Sequence, residues 1–314
     1  MKYAFLGNMN NMGFALSREM KKRGLDVTLF VDADKVYLLD RPESFDETIS
    51  LPYPQWIIEL NKEEKEQIKK PFLLPLNKNR YLKLLKDFDV IILNGYWISL
   101  GKFIPKEKKV INFFAGFDLD VLADLNNVNY LLAKEKNTLL TKLLKPFFKL
   151  KYKIVIKQHR AGIRRADGIN YFPKGINPAG DILIEEIKGG TSYKRLELRG
   201  FPFENVTYKP YQKKDVFTIL NFTRFFFLDK NRNDNKRNDI MIEGIADFVN
   251  NNKDAHLNLE VIFFEKGEDL EEAKRMCDEL KISKFIIWKK PVTQSELNTL
   301  IVECDVAFDQ QLKY

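Results

Sequence analysis

Residues 2–31 read "KYAFLGNMNNMGFALSREMKKRGLDVTLFV", and the periodicity changes twice within them. "KYAFLG" is a short apolar run ending in glycine. "GFALSREMKKRG" has helical character and closes on Gly24, and "LDVTLFV" is apolar and β-branched again. Strand, helix and strand in that order make a β-α-β unit, the building block of a parallel sheet. The alternation continues outward. "DVIILNG" (89–95), "KVINFFAG" (109–116) and "DGINYFP" (167–173) are expected strands, the first two ending in a glycine that lets the backbone turn sharply. A helix is expected from Pro178 to Ile187. Around 200–214 the text turns to prolines, aromatics and charge without periodicity, which places a domain junction there. The rhythm then restarts with strands at "VFTILNF", "LNLEVIFF", "KFIIW" and "DVAFD", separated by helices at "IMIEGIADFVNN", "LEEAKRMCDELKI" and "SELNTLIVEC". Two α/β domains are therefore expected, 1–205 and 206–314, and the second has the look of an incomplete one, with Tyr314 reached after its fourth strand.

A chain of 314 residues is long enough for two such domains, and 45% hydrophobic with 31% charged residues is a soluble globular balance. No window of about 20 apolar residues offers a membrane span. The N-terminus meets Gly7 and Asn8 too soon to hold the apolar region of a secretory signal, so the cytoplasm is the expected compartment. Cys277 and Cys304 show neither pairing nor metal spacing, as in a reducing environment. His159 and His256 are too few for a histidine-based site, and no metal is expected. A net charge of +8 favours a polyanionic partner, whether nucleic acid, an anionic membrane or a phosphorylated small molecule. Nucleic acid is set aside, because the basic residues gather in an amphipathic stretch without a stacking platform or groove-reading motif.

That stretch is 129–165, rich in lysine and arginine with Glu135 as its one acidic residue. Leu139, Leu140, Leu143, Leu144, Phe147 and Phe148 recur at helical spacing opposite Lys142, Lys145 and Lys149. One reading is a core-facing helix with a solvated lysine face. The other is attachment to an anionic membrane surface.

Candidate ligand-binding residues lie at strand ends. The loop "GNMNNMG" occupies the place of a dinucleotide fingerprint but lacks its three-glycine spacing. It reads as a turn in which Asn11 and Gly13 are still available to a bound ligand. In "FFAGFDLD", Asp118 follows Gly116 and should stand at the carboxyl edge of the first sheet, where open α/β sheets bind ligands. Helix capping by Asp118 or Asp120 is the alternative. "FFEKGED" (263–269) repeats the pattern with Glu265, and "FDQQ" (308–311) with Asp309 and Gln310. The most telling stretch is 219–245, "ILNFTRFFFLDKNRNDNKRNDIMIEGI". It puts Arg224 at the end of a strand and Lys236 just before a helix starting near Asn238, whose free N–H groups face the same way. Two cations and a helix N-terminus suit a diphosphate. Lys230 or Arg232 could equally supply the second cation, and a solvated loop is the other reading.

Taken in order, "NMNNMGFALSREMKKRGLDVTLF", "GFDLD", "RRADGI", "NFTRF" with "KRNDIMIEGI", and "SELNTLIVECDVAFDQ" resemble the GT-B glycosyltransferases. Within that class they resemble the large retaining family that includes mannosyl- and glucosyltransferases of bacterial surface polysaccharide assembly. The resemblance implies two Rossmann-like doubly wound domains facing across a cleft, the first binding a glycan or lipid-linked acceptor and the second a nucleotide-diphosphate sugar. Arg224 and Lys236 would then take the donor diphosphate and neutralise the leaving group, in place of a metal. Glu265, Asp309, Gln310, Asn11 and Gly13 would belong to the donor site, and Asp118 would orient or deprotonate the acceptor hydroxyl. No cofactor beyond the donor substrate is implied. The family carries a further helix with two glutamates beyond the strand matching "DVAFDQ", and the sequence stops before it. The alternative expectation is therefore an inactive subunit or fragment that binds acceptor, membrane or partner.

Overall fold

A computed structural model describes residues 1–32, 40–60, 74–133, 143–197, 214–230, 235–252 and 258–308. The chain divides into two compact units, Met1–Phe203 and Glu204–Tyr314. In the first, β1 (Lys2–Leu6), β2 (Asp26–Asp32), β3 (Ile57–Leu60), β4 (Val90–Leu93), β5 (Lys109–Phe113), β6 (Gly168–Tyr171) and β7 (Lys194–Glu197) form one sheet in the order β3-β2-β1-β4-β5-β6-β7. In the second, β8 (Phe217–Asn221), β9 (Leu259–Phe264), β10 (Ile286–Lys289) and β11 (Val306–Phe308) form another in the order β10-β9-β8-β11. Every pairing is parallel. Each sheet thus reverses direction beside its first strand, leaving a switch point at the carboxyl edge of β1 and of β8.

Both sheets are covered on both faces, which is why their strands read as continuous apolar runs. Alternate residues of β1 go to opposite sides: Ala4 and Leu6 join the cluster with Ile91, Leu93 and Ile163, while Phe5 joins Phe14, Leu29 and Val31. In the second unit Val261 and Phe263 pack with Ile242 and Ile245, and Ile262 and Phe264 turn to Leu297 and Leu300. Burying a side chain of this size contributes about 1.5–3 kcal/mol.

Counting helices of six residues or more, α1 is Met12–Lys22, α2 Leu74–Leu84, α3 Val128–Ala133, α4 Lys145–Arg165, α5 Pro178–Lys188, α6 Asn238–Asn251, α7 Leu270–Glu279 and α8 Gln294–Glu303. Local chemistry sets several ends. The Asn177 side chain accepts from Gly180 N ahead of α5, Pro178 opens that helix, and Gly189 closes it at φ 52°. Thr293 and Glu296 form a capping box on α8. The expected strands and helices are all present, and two edge strands, β3 and β7, join them. Neither has a sequence signal. Each is four residues long, β3, "IIEL", is buried only at its ends, and β7, "KRLE", carries three charges. Their neighbours β2 and β6 make them strands by supplying the hydrogen-bond ladder.

The basic stretch folds differently from its core-facing reading. α4 buries Val155, Ile156, His159, Gly162 and Ile163 against the 3-10 segment Gly95–Phe103, whereas Leu143, Leu144 and Phe147 are exposed. Leu139, Leu140 and Lys142 lie outside the described residues.

Candidate functional site

In the second unit, the segment after β8 is held from three sides. Asn221 Oδ1 accepts from the amide and the hydroxyl of Thr223, at 3.1 and 2.8 Å. Asn238, the first residue of α6, donates to Thr223 Oγ1 at 2.9 Å and accepts from the Phe226 amide at 3.1 Å. The Phe225 amide donates to the Lys266 carbonyl at 2.8 Å, and the Phe225 carbonyl accepts from the Asp269 amide at 3.1 Å. This last contact requires Gly267. Its φ is 125°, and a Cβ there would lie 2.3 Å from the Phe225 carbonyl oxygen.

The clamp fixes the backbone of Arg224 while its side chain stays exposed, the guanidinium 5.4 Å from the centre of the Phe226 ring. The Lys236 amide donates to the Phe226 carbonyl at 2.6 Å. Arg224 and Lys236 therefore both adjoin Phe226. α6 begins two residues after Lys236, behind Arg237 at φ 52°, with no side-chain hydrogen bond capping it. Its first-turn amides keep their positive end for another acceptor. Asp239, also in that turn, lies 3.5 Å from Arg237 and 3.8 Å from Lys230, which offset its charge. Arg232 lies outside the described residues.

A third cation stands near Arg224. Lys266 is half-buried, and burial together with the nearby Arg224 guanidinium pushes its ammonium below the usual lysine range. An anion between Lys266 and Arg224 would relieve that repulsion. Sequence reasoning named Glu265 and passed over Lys266. The available signal was the basic residue immediately before Gly267, whose tight turn against Phe225 carries Lys266 to the end of β8. Glu265 itself is engaged by Lys274 of α7 at 3.0 Å, and that ammonium lies over the Trp288 ring. Asp309 and Gln310 lie outside the described residues.

In the first unit, the loop after β1 is tied inward. Asn11 is buried and donates to the Arg41 carbonyl and Ser44 Oγ at 2.9 and 3.0 Å, while its own oxygen accepts from Asn8 at 2.7 Å. A Cβ on Gly13 would lie 2.4 Å from the Gly7 carbonyl, so that glycine seats α1 against the loop. Both residues thus hold the loop after β1 in place.

Asp118, the carboxylate expected on the acceptor side, is held by backbone amides. It is fully buried, with one oxygen 3.1 Å from the Gly95 amide and the other 2.9 Å from the Ala115 amide. The carboxylate thus ties the loop after β4 to the loop after β5. Asp120, two residues on, is only half-buried and lies near the Asn177 side chain, which favours its charged form. Asn177 also donates to the Tyr171 hydroxyl at 2.7 Å. Asp120, Asn177 and Tyr171 share the carboxyl edge of β5 and β6, and sequence reasoning named Asp120 only as a cap. Nearby, His159 is buried with Nδ1 3.3 Å from Ser99 Oγ, and burial lowers its pKa to about 4, so it is neutral.

Burial pushes the carboxyls of Asp118 and Asp120 up to about 6. In the folded chain they hold protons that the unfolded chain releases. The stability they contribute is full below about pH 4 and is lost as the pH rises through about 6. Urea denaturation across that window should show the decline, and Asp118→Asn should flatten it.

No protein-family profile matches the chain, and no curated protein sequence does. Among solved structures, trehalose-6-phosphate synthase OtsA is similar at a TM-score of 0.56 and 9% identity, over 98% of this chain and 78% of that one. Sucrose-phosphate synthase from Thermosynechococcus elongatus is similar at 0.55 and 11% identity, over 98% and 75%. A TarM variant from S. aureus, solved with UDP, is similar at 0.53 and 11% identity, over 99% and 86%. These are GT-B glycosyltransferases. The chain has the GT-B fold, with parallel sheets of seven and four strands.

Proposed function

We propose that this protein is a glycosyltransferase that moves a sugar from a nucleoside-diphosphate sugar to a hydroxyl of a glycan or lipid-linked acceptor, with retention of configuration and without a metal. The observation that carries the reading is the placement of Arg224 and Lys236 around Phe226 at the uncapped start of α6. The donor diphosphate would sit there. As the bond between the anomeric carbon and the β-phosphate oxygen breaks, its electron pair leaves on the diphosphate, and the new charge falls between Arg224, Lys236 and Lys266. Preorganised charge of this kind stabilises a transition state more than a ground state. The acceptor oxygen forms the new bond to the anomeric carbon, and its proton passes to the departing phosphate oxygen. Asp120, beside Asn177, orients the acceptor hydroxyl. Asp118 acts one step back by fixing the loop that carries Asp120.

Calorimetry with UDP and GDP, and with their sugars, tests the reading. Arg224→Ala and Lys236→Ala should each weaken binding about tenfold or more, since a charge-assisted hydrogen bond to phosphate contributes about 1.5–3 kcal/mol. Folding stability should change by no more than about 0.5 kcal/mol, as for most surface substitutions. Lys230→Ala, whose ammonium faces Asp239 across 3.8 Å, should be mild. If all three variants bind nucleoside diphosphates as the parent does, or the parent binds none, the reading fails.

A further inference from the structure

The two halves of α4 have different surroundings. Its C-terminal half buries Val155, Ile156, His159, Gly162 and Ile163, whereas no residue from Lys145 to Ile154 is buried. Those first ten residues span about 15 Å of helix. At about 100° per residue, the buried positions centre on one side of the helix. Phe147, Leu150 and Ile154 fall on roughly the opposite side, and Leu143, just ahead of the first turn, continues their line. Their exposure is large: 72% for Leu143 and 57% for both Phe147 and Leu150. Lys149, Lys153 and Lys157 flank this stripe on one side, and Lys151 flanks it on the other, its ammonium 5.2 Å from the Phe148 ring centre and 4.8 Å from that of Tyr152. Residues 143–165 contain no acidic side chain.

An exposed apolar stripe bounded on both sides by cations selects its occupant by charge and by size. Apolar surface alone would suit any hydrophobic partner, but flanking lysines with no acidic residue among them demand a negative one. A stable protein interface buries about 800 Å² per partner around a packed centre, and four apolar side chains in a line along one helix cannot form such a centre. A bilayer needs no centre. A helix lying in the interface sinks its apolar side chains among the acyl chains, while lysines at its flanks reach the headgroups. We propose that this face of α4 docks the protein on an anionic phospholipid bilayer. The proposal goes beyond the transfer reaction and stands or falls without it, because its test uses no sugar substrate.

The full chain is sedimented with vesicles of phosphatidylcholine alone and with vesicles containing phosphatidylglycerol as well. It should pellet with the anionic vesicles only, and added salt should release it. The double variants Phe147→Ser/Leu150→Ser and Lys149→Glu/Lys153→Glu should each weaken partitioning about tenfold or more. All four positions are exposed, so the melting temperatures should match the parent and show that the variants are folded. Equal binding to neutral vesicles, undiminished binding by either double variant, or association with an acidic protein in place of vesicles would overturn the proposal.

Discussion

Gly162→Ala is expected to lower folding stability by about 3 kcal/mol, toward the upper end for overpacking. A Cβ at this position would lie 1.9 Å from the Ile98 carbonyl oxygen and 2.8 Å from its carbon. Both are backbone atoms, so no side chain can rotate away, and α4 must move off the Gly95–Phe103 segment. Gly101 faces Gly162 across the same contact, where its own Cβ would lie 3.2 Å from the Gly162 carbonyl. Displacing α4 would also open the packing around buried His159, Ile156 and Ile163. Thermal and urea denaturation read the effect directly. A loss below about 1 kcal/mol would mean that the two segments can part cheaply, and that this contact is not what anchors α4. Activity should fall with the folded fraction and no further.

Asp118→Ala should cost about 2–4 kcal/mol, because it strips the acceptor from one buried and one half-buried amide, a buried one costing about 1–3 kcal/mol when left unpaired and the half-buried one less. Those amides belong to Gly95 and Ala115, and the Asn94 side chain, 3.5 Å from the same carboxylate, loses its neighbour as well. Asp118→Asn keeps the volume and one acceptor oxygen, so it should lie between the parent and Asp118→Ala. Asp120→Asn separates bracing from chemistry. It should leave the melting temperature near that of the parent and lower kcat about a hundredfold, the cost of a misplaced acceptor hydroxyl. A stable Asp118→Ala protein without transfer activity would return the acceptor-side role to Asp118. A fully active Asp120→Asn protein would remove Asp120 from the mechanism.

The candidate donor site was legible because its parts lie close in sequence. Arg224, Lys236 and the start of α6 span fifteen residues, and the strand-loop-helix pattern alone indicates which way each faces. Lys266 was not legible in the same way. It comes from the next β-α unit and reaches Arg224 only because parallel pairing sets β9 beside β8 and Gly267 lets the chain close on Phe225. The acceptor edge was half legible. Sequence placed a carboxylate after β5, but "FDLD" contains two, and a short helical turn decides which one is sealed in and which one faces out.

The same division holds for the whole molecule. Local periodicity, glycine punctuation and capping residues were sufficient by themselves to determine the β-α-β alternation, the two-unit organisation and most element boundaries, because each depends on neighbours within a few residues. Burial was decided only in the tertiary structure. "LLKPFFKL" has the composition of a core helix, yet its apolar residues face outward, because the close approach of Gly162 to Ile98 fixes the rotation of α4 and commits another face to the core. β3 and β7 likewise exist because a neighbouring strand presents unpaired backbone to them. A sequence pattern determines which side chains share a face. Which face is covered depends on contacts between residues far apart in the chain, and those exist only once it has folded.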